Sequence, residues 1–222
     1  EDEFRNALNT AASNGEDDII NVNDNITITA TLIYSTDDGD GGNTLTINGN
    51  GHTLTGNSVQ IMNINTDTGW DGEDADGDVT IDNLTFQNGN SSGEGGGLYI
   101  NTGEANVTLT RNTFSNNTAD FDGGGAYVYA DSGTITITGN TFSSNTADFD
   151  GGGASVYADS GTITITGNTF SSNTADSGGG AFVDTYSGTI DLTNNTFSIN
   201  TATWGGGAYV YTQSGTIDLT GN

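Results

Sequence analysis

The sequence contains no cysteine, no proline and no lysine, and it has a single histidine and a single methionine. Without cysteine there is neither a disulfide scaffold nor a thiolate zinc site; many secreted chains also lack it, so the compartment stays open on this ground. Positive charge is equally scarce. Arg5 and Arg111 stand against 29 aspartates and glutamates, giving a formal charge of -27 over 222 residues. Such a surface repels phosphate, so nucleic acid and anionic membrane are not expected partners, whereas cations are. No apolar run approaches the roughly 20 residues that span a bilayer, and no basic-then-apolar leader opens the chain, which predicts no membrane insertion. The first residue is Glu1 rather than Met, as expected of a processed or partial chain. Leu, Ile, Val and Phe together make up only about a fifth of the chain, which beside the net charge is the compositional mark of disorder.

What is present overrides that mark. The stretch NTADFDGGGA at residues 117 to 126 returns unchanged at 145 to 154. A glycine triplet ends at Gly97, Gly125, Gly153, Gly180 and Gly207, in steps of 28, 28, 27 and 27 residues, and Phe86, Phe114, Phe142, Phe170 and Phe197 keep pace in steps of 28, 28, 28 and 27. Within a unit, GTITITGN alternates with period two, so Ile135 and Ile137 point inward and Thr134, Thr136 and Thr138 outward. After the glycines, AYVY, ASVY, AFVD and AYVY hold Ala and Val constant. Ala126 and Val128 are therefore read as inward and the variable positions as outward.

Each unit offers about three short strands that cannot bury their apolar faces alone, and stacking neighbouring units is the solution. The fold class expected is all-β: a right-handed parallel β-helix of about seven coils, forming a rod roughly 34 Å long at about 4.8 Å per coil. Residues 1–25 read as an N-terminal cap whose short helix carries Phe4, Leu8, Ala11 and Ala12 on one face. Residues 26–90 read as irregular first coils with acidic loops, and 91–222 as regular repeats of one continuous domain. The last unit stops before its Phe strand, so either further chain or another subunit is expected over that end. The outward threonines and the Asn of FSxN are expected to form hydrogen-bonded ladders along the rod.

The GGGA and FSxN landmarks resemble the repeats of polymorphic outer-membrane proteins, bacterial surface and autotransporter passenger domains within the pectin-lyase-like group of β-helices. NTLTINGNGHTLTG is similar to the first coils of many such secreted proteins. Tyr, Ser or Phe follows GGA where that family has an aliphatic residue. The resemblance implies an extracellular or cell-surface location and a structural or adhesive role. It equally implies the alternative of a polysaccharide hydrolase or lyase on the same scaffold.

In a solenoid, equivalent positions stack, which places Asp120, Asp148 and Asp176 in one column and Asp122 and Asp150 in another. Two carboxylates about 4.8 Å apart repel by about 1 kcal/mol in water and about 3 to 4 at an effective dielectric of 20, which invites a counter-ion. Ca²⁺ takes six to eight oxygens from carboxylates and carbonyls, and glycines let the backbone come close, so calcium is expected at these turns. DGEDADGD is a second candidate, with Asp71, Glu73, Asp74, Asp76 and Asp78 in one loop. Asp74, Asp76 and Gly77 fit positions of an EF-hand or dockerin loop, but Gly72 and Asn83 stand where its first and last ligands belong.

Outward aromatic residues form two further columns: Tyr99, Tyr127, Phe182 and Tyr209 in one, Tyr129, Tyr157 and Tyr211 in the other. Such a surface can stack on sugar rings or pack against another rod, so a carbohydrate, a host or cell-surface partner, or end-to-end or side-by-side self-association is expected. Sequons at Asn25, Asn83, Asn106 and Asn116 permit glycosylation. Catalysis is not expected. Lysine is absent, His52 lies alone in a turn, and Arg111 is the only base of the repeats, although Asp191 and Asp218 share an outward column as a retaining glycosidase pair could.

Overall fold

The computed structural model describes residues 1–36, 42–67 and 77–222. Its strands pair only in parallel and assemble three long sheets of eight, seven and seven strands, with a minor sheet of three. One coil runs from Val107–Thr110 in the first sheet through Thr113–Ser115 in the second, past the short Thr118–Ala119, to Ala126–Ala130 in the third. The next coil begins at Ile135–Thr138, directly beside Val107–Thr110, with Ile135 opposite Val107 and Ile137 opposite Leu109. The chain thus winds as a right-handed parallel β-helix of about seven turns.

The alternation read from GTITITGN is the burial pattern observed. Ile135, Ile137, Ile163 and Ile165 are fully buried, and Thr136, Thr138 and Thr164 are half-exposed. Ala126 and Val128 are likewise buried. The five phenylalanines form one file through the core, with successive ring centroids 4.9, 4.8, 4.8 and 4.9 Å apart and planes within 7° of parallel.

Two columns of inward asparagine flank this file, all buried except the half-buried Asn200. Asn117, Asn145, Asn173 and Asn200 belong to FSxN. Asn112, Asn140, Asn168 and Asn195 precede TF and were not read as interior from the sequence. Each corner uses the same device. A residue at positive φ (Arg111, 54°; Asn116, 54°; Ser144, 57°) turns the chain, and the Asn after it folds inward. There Asn140 Nδ2 donates to the Leu109 carbonyl at 2.9 Å, while its Oδ1 accepts from the Asn112 N–H at 2.7 Å. Backbone groups left unpaired by the corner are thereby satisfied inside the rod.

The helix Asp2–Ala11 buries Phe4, Leu8 and Ala11 against the first coil. Arg5 holds it there, donating to the carbonyls of Ala30 and Thr31 and pairing with Glu1 at 2.8 Å. The stretch read as a cap also supplies the first rung, since Asp18–Asn21 pairs with Leu45–Asn48. No helix among the described residues is long and apolar enough to cross a membrane.

Candidate functional site

The outer face of the third sheet gathers most of the residues singled out above. Register alone places Tyr99, Tyr127, Ser155, Phe182 and Tyr209 in one column, and Tyr129, Tyr157, Asp184 and Tyr211 in the next. The rings arrange themselves differently. Tyr157 leaves its own column and leans over Ser155, so that one continuous stack runs Tyr99, Tyr127, Tyr157, Phe182, Tyr209. Its centroid spacings are 5.2, 5.6, 5.4 and 5.2 Å. The physical reason is the missing ring at Ser155, a gap that a neighbouring tyrosine can cover at the cost of a tilt near 40°. Tyr129 and Tyr211 stay outside the stack. The Tyr129 hydroxyl instead donates to Asp131 at 2.5 Å.

Because the rings cover one another, this face is less open than the outward reading implied. Tyr99, Tyr127 and Tyr157 are half-buried, and Phe182 is only 9% exposed. Burial pushes the hydroxyls of Tyr127 and Tyr157 well above their ordinary range, and the charge of Asp122 adds to both shifts.

The glycine turns border this face. Asp122 and Asp150 stack as expected, with Asp122 Oδ1 accepting from the Asp150 N–H at 3.0 Å. The Tyr157 hydroxyl lies 3.2 Å from Asp122 Oδ2 and 3.4 Å from Asp150 Oδ2. Both carboxyls are raised, by burial first; the negative charges of Asp150 and Glu94 then add to the shift of Asp122, and that of Asp176 to Asp150. Asp120, Asp148 and Asp176 are exposed; in the one-residue-shorter turn the Asp176 N–H donates to the Phe149 carbonyl at 2.8 Å and its charge acts on Asp150. Between their flanking aspartates, Phe121 and Phe149 stack at 5.6 Å and remain about half-exposed.

Coil packing requires the triplet glycines. The first of each triplet has positive φ, 66° at Gly123 and Gly151. A Cβ on Gly125 would lie 2.4 Å from the Gly153 carbonyl oxygen. The carbonyls of Asp150, Gly151 and Gly153 accept from Gly123, Gly124 and Gly125 of the preceding coil at 2.8 to 3.1 Å, so this backbone is committed to the ladder.

Among the described residues, no group of three or more His, Cys, Asp and Glu converges as a metal-holding set. Asp78 is engaged otherwise: its carboxylate accepts from the backbone N–H and side-chain amide of Asn106 at 2.8 to 3.2 Å. Asp71, Glu73, Asp74 and Asp76 lie outside the described residues. His52 closes a turn through its backbone, its N–H donating to Gly49 and its carbonyl accepting from Thr85. Arg111 pairs with Asp82. Asp191 and Asp218 are neighbours in register on the first sheet, and Asp191 Oδ1 is buried without a hydrogen-bond partner.

Trp204 and Asp184 were missed in the sequence. Trp204 is 62% exposed and follows Asp150 and Ser177 up the turn column, while Asp184 takes the place of Tyr157 one coil on. Aligning TWGGG with DFDGGG and AFVD with ASVY carries that signal. The family profile described as the right-handed beta helix region matches residues 9–222. No curated protein and no solved structure matches the chain.

Proposed function

Since the chain belongs to the right-handed β-helix family, we propose that it is an extracellular structural or adhesive module of a cell-surface or filament-forming protein. The observation that carries this reading is the aromatic stack from Tyr99 to Tyr209. It spans five coils on one sheet face and is edged by carboxylates. A continuous, rigid strip of that kind suits an extended partner, either a second rod or a glycan, better than a small substrate held at one point. The GGGA and FSxN landmarks support placing it beside the repeats of polymorphic outer-membrane proteins.

Calcium is part of the proposal as a stabiliser. Its support is the carboxylate density of residues 71 to 78 and the uncompensated Asp122–Asp150 pair. Melting with and without a chelator tests it: a lowered midpoint after chelation, restored by calcium, is expected, and an unchanged midpoint removes calcium from the account.

The surface role itself is tested by coating beads with the protein and measuring their adherence to glycan surfaces and to one another, with rods viewed by negative-stain microscopy. Adherence or side-by-side pairing of rods that weakens on Tyr127→Ala is expected. Beads that adhere to nothing, and rods that stay single, would overturn the reading. One observation favours a second reading, a polysaccharide hydrolase: the buried, unpartnered Asp191 Oδ1 beside Asp218. Release of reducing sugar that Asp191→Asn abolishes would establish it.

A further inference from the structure

In the coil of Ala154–Ala158 the space above the third sheet is filled by Tyr157, whose ring crosses Ser155 and whose hydroxyl reaches Asp122 and Asp150. One coil on, Asp184 stands in register with Tyr157 and is too short to cross. The turn column changes at the same level, from Asp150 through Ser177 to Trp204. These changes open a groove of about 550 Å³. Phe182 and Tyr209 form its floor, stacked at 5.2 Å with planes 1° from parallel. Trp204 lines one side and Asp184 and Tyr211 the other, and Asp150 closes the end toward Tyr157.

The charges in this groove lack a counter-ion within the chain. Both arginines are engaged elsewhere, Arg5 with Glu1 and Arg111 with Asp82, and the net charge is -27. Burial raises both Asp150 and Asp184, and the charge of Asp150 adds to the shift of Asp184. A neutral hydroxylated ligand would leave those two carboxylates opposed. A cation clothed in methyl groups satisfies both components, because the exposed rings of Trp204 and Tyr211 attract it while the carboxylates balance its charge; Phe182, covered on both faces by Tyr157 and Tyr209, adds only apolar surface beneath it.

We propose that this groove binds a methylated organic ammonium group. The site stands apart from the surface role, since it needs only the last two coils and the Asp150 turn before them, and not the length of the stack. Its test is calorimetric titration of the whole chain with choline, beside its uncharged isostere 3,3-dimethyl-1-butanol and a neutral oligosaccharide. Saturable binding of choline with a Kd of about 1 mM or tighter is expected, with the isostere at least about tenfold weaker. Trp204→Ala and Asp184→Asn should each weaken choline about tenfold or more without lowering the melting midpoint. Absence of saturation by choline would overturn the proposal. So would equal binding of the isostere, or saturable oligosaccharide binding that excludes choline. Should either variant unfold, the choline-to-isostere ratio on the unmodified chain decides alone.

Discussion

The carboxamide of Asn145 makes four hydrogen bonds within the rod. Its Oδ1 accepts from the backbone and side-chain N–H groups of Asn117, both at 3.0 Å, and its Nδ2 donates to the Phe114 carbonyl and to Asn173 Oδ1. The residue is fully buried, so truncation leaves an N–H and a carbonyl dry and unpaired on the coil below. Asn145→Ala is expected to cost about 2 to 5 kcal/mol by urea denaturation. The exposed Ser132→Ala should move the midpoint by less than about 0.5 kcal/mol. Equal effects from the two variants would mean that the ladder contributes nothing net. Of the two asparagine columns only the FSxN one was legible in the sequence. Both columns sit one residue past a left-handed corner, where period-two alternation breaks and nothing local says which way the side chain folds; only its fixed place in the FSxN landmark marked the first.

At the scale of the element, the corner after each Phe strand needs a residue at positive φ: Asn88, Asn116, Ser144, Ser172 and then Ile199, at 58°. A β-branched side chain is poorly suited to that conformation, and Ile199 is 84% exposed, so no burial offsets the strain. Ile199→Asn is expected to stabilise the protein by about 1 kcal/mol, read as a raised thermal midpoint; a lowered one would show that Ile199 holds a contact that compensates. The strands themselves were legible, because alternation and turn residues agree throughout the repeats. The tilt of Tyr157 was not. Strand periodicity assigns a side chain to a column, and only the vacancy over Ser155 draws the ring out of it. The same limit hid the groove, which arises from Asp184 and Trp204 together, two residues that are twenty positions apart and lie on different elements.

For the molecule as a whole, the uncompensated negative charge sets the response to pH. Burial raises the carboxyls of Asp122, Asp150 and Asp184, so between the ordinary value near 4 and their raised values the folded chain holds protons that the unfolded chain has lost. Their stabilising contribution is complete below that window and is lost as pH rises through it. In low salt the melting midpoint should therefore be higher at pH 5 than at pH 7.5, and Asp122→Asn should flatten the difference while keeping the acceptor for the Asp150 N–H. A midpoint that rises toward pH 7.5 would show that these groups are relieved by a bound cation or by solvent.

All of these consequences depend on successive coils keeping register along one axis. The lack of cysteine makes this directly measurable, since a spin label attaches only where a cysteine is introduced. Thr46, Thr80, Thr108, Thr136, Thr164 and Asp191 are partners in turn across the first sheet. Electron spin distances are measured from Thr46→Cys to Thr164→Cys, four coils away, and to Asp191→Cys, five coils away. Values of about 19 and 24 Å, one strand spacing apart, are what this structure predicts. Broad distributions, or two distances that do not differ by about one strand spacing, would contradict it.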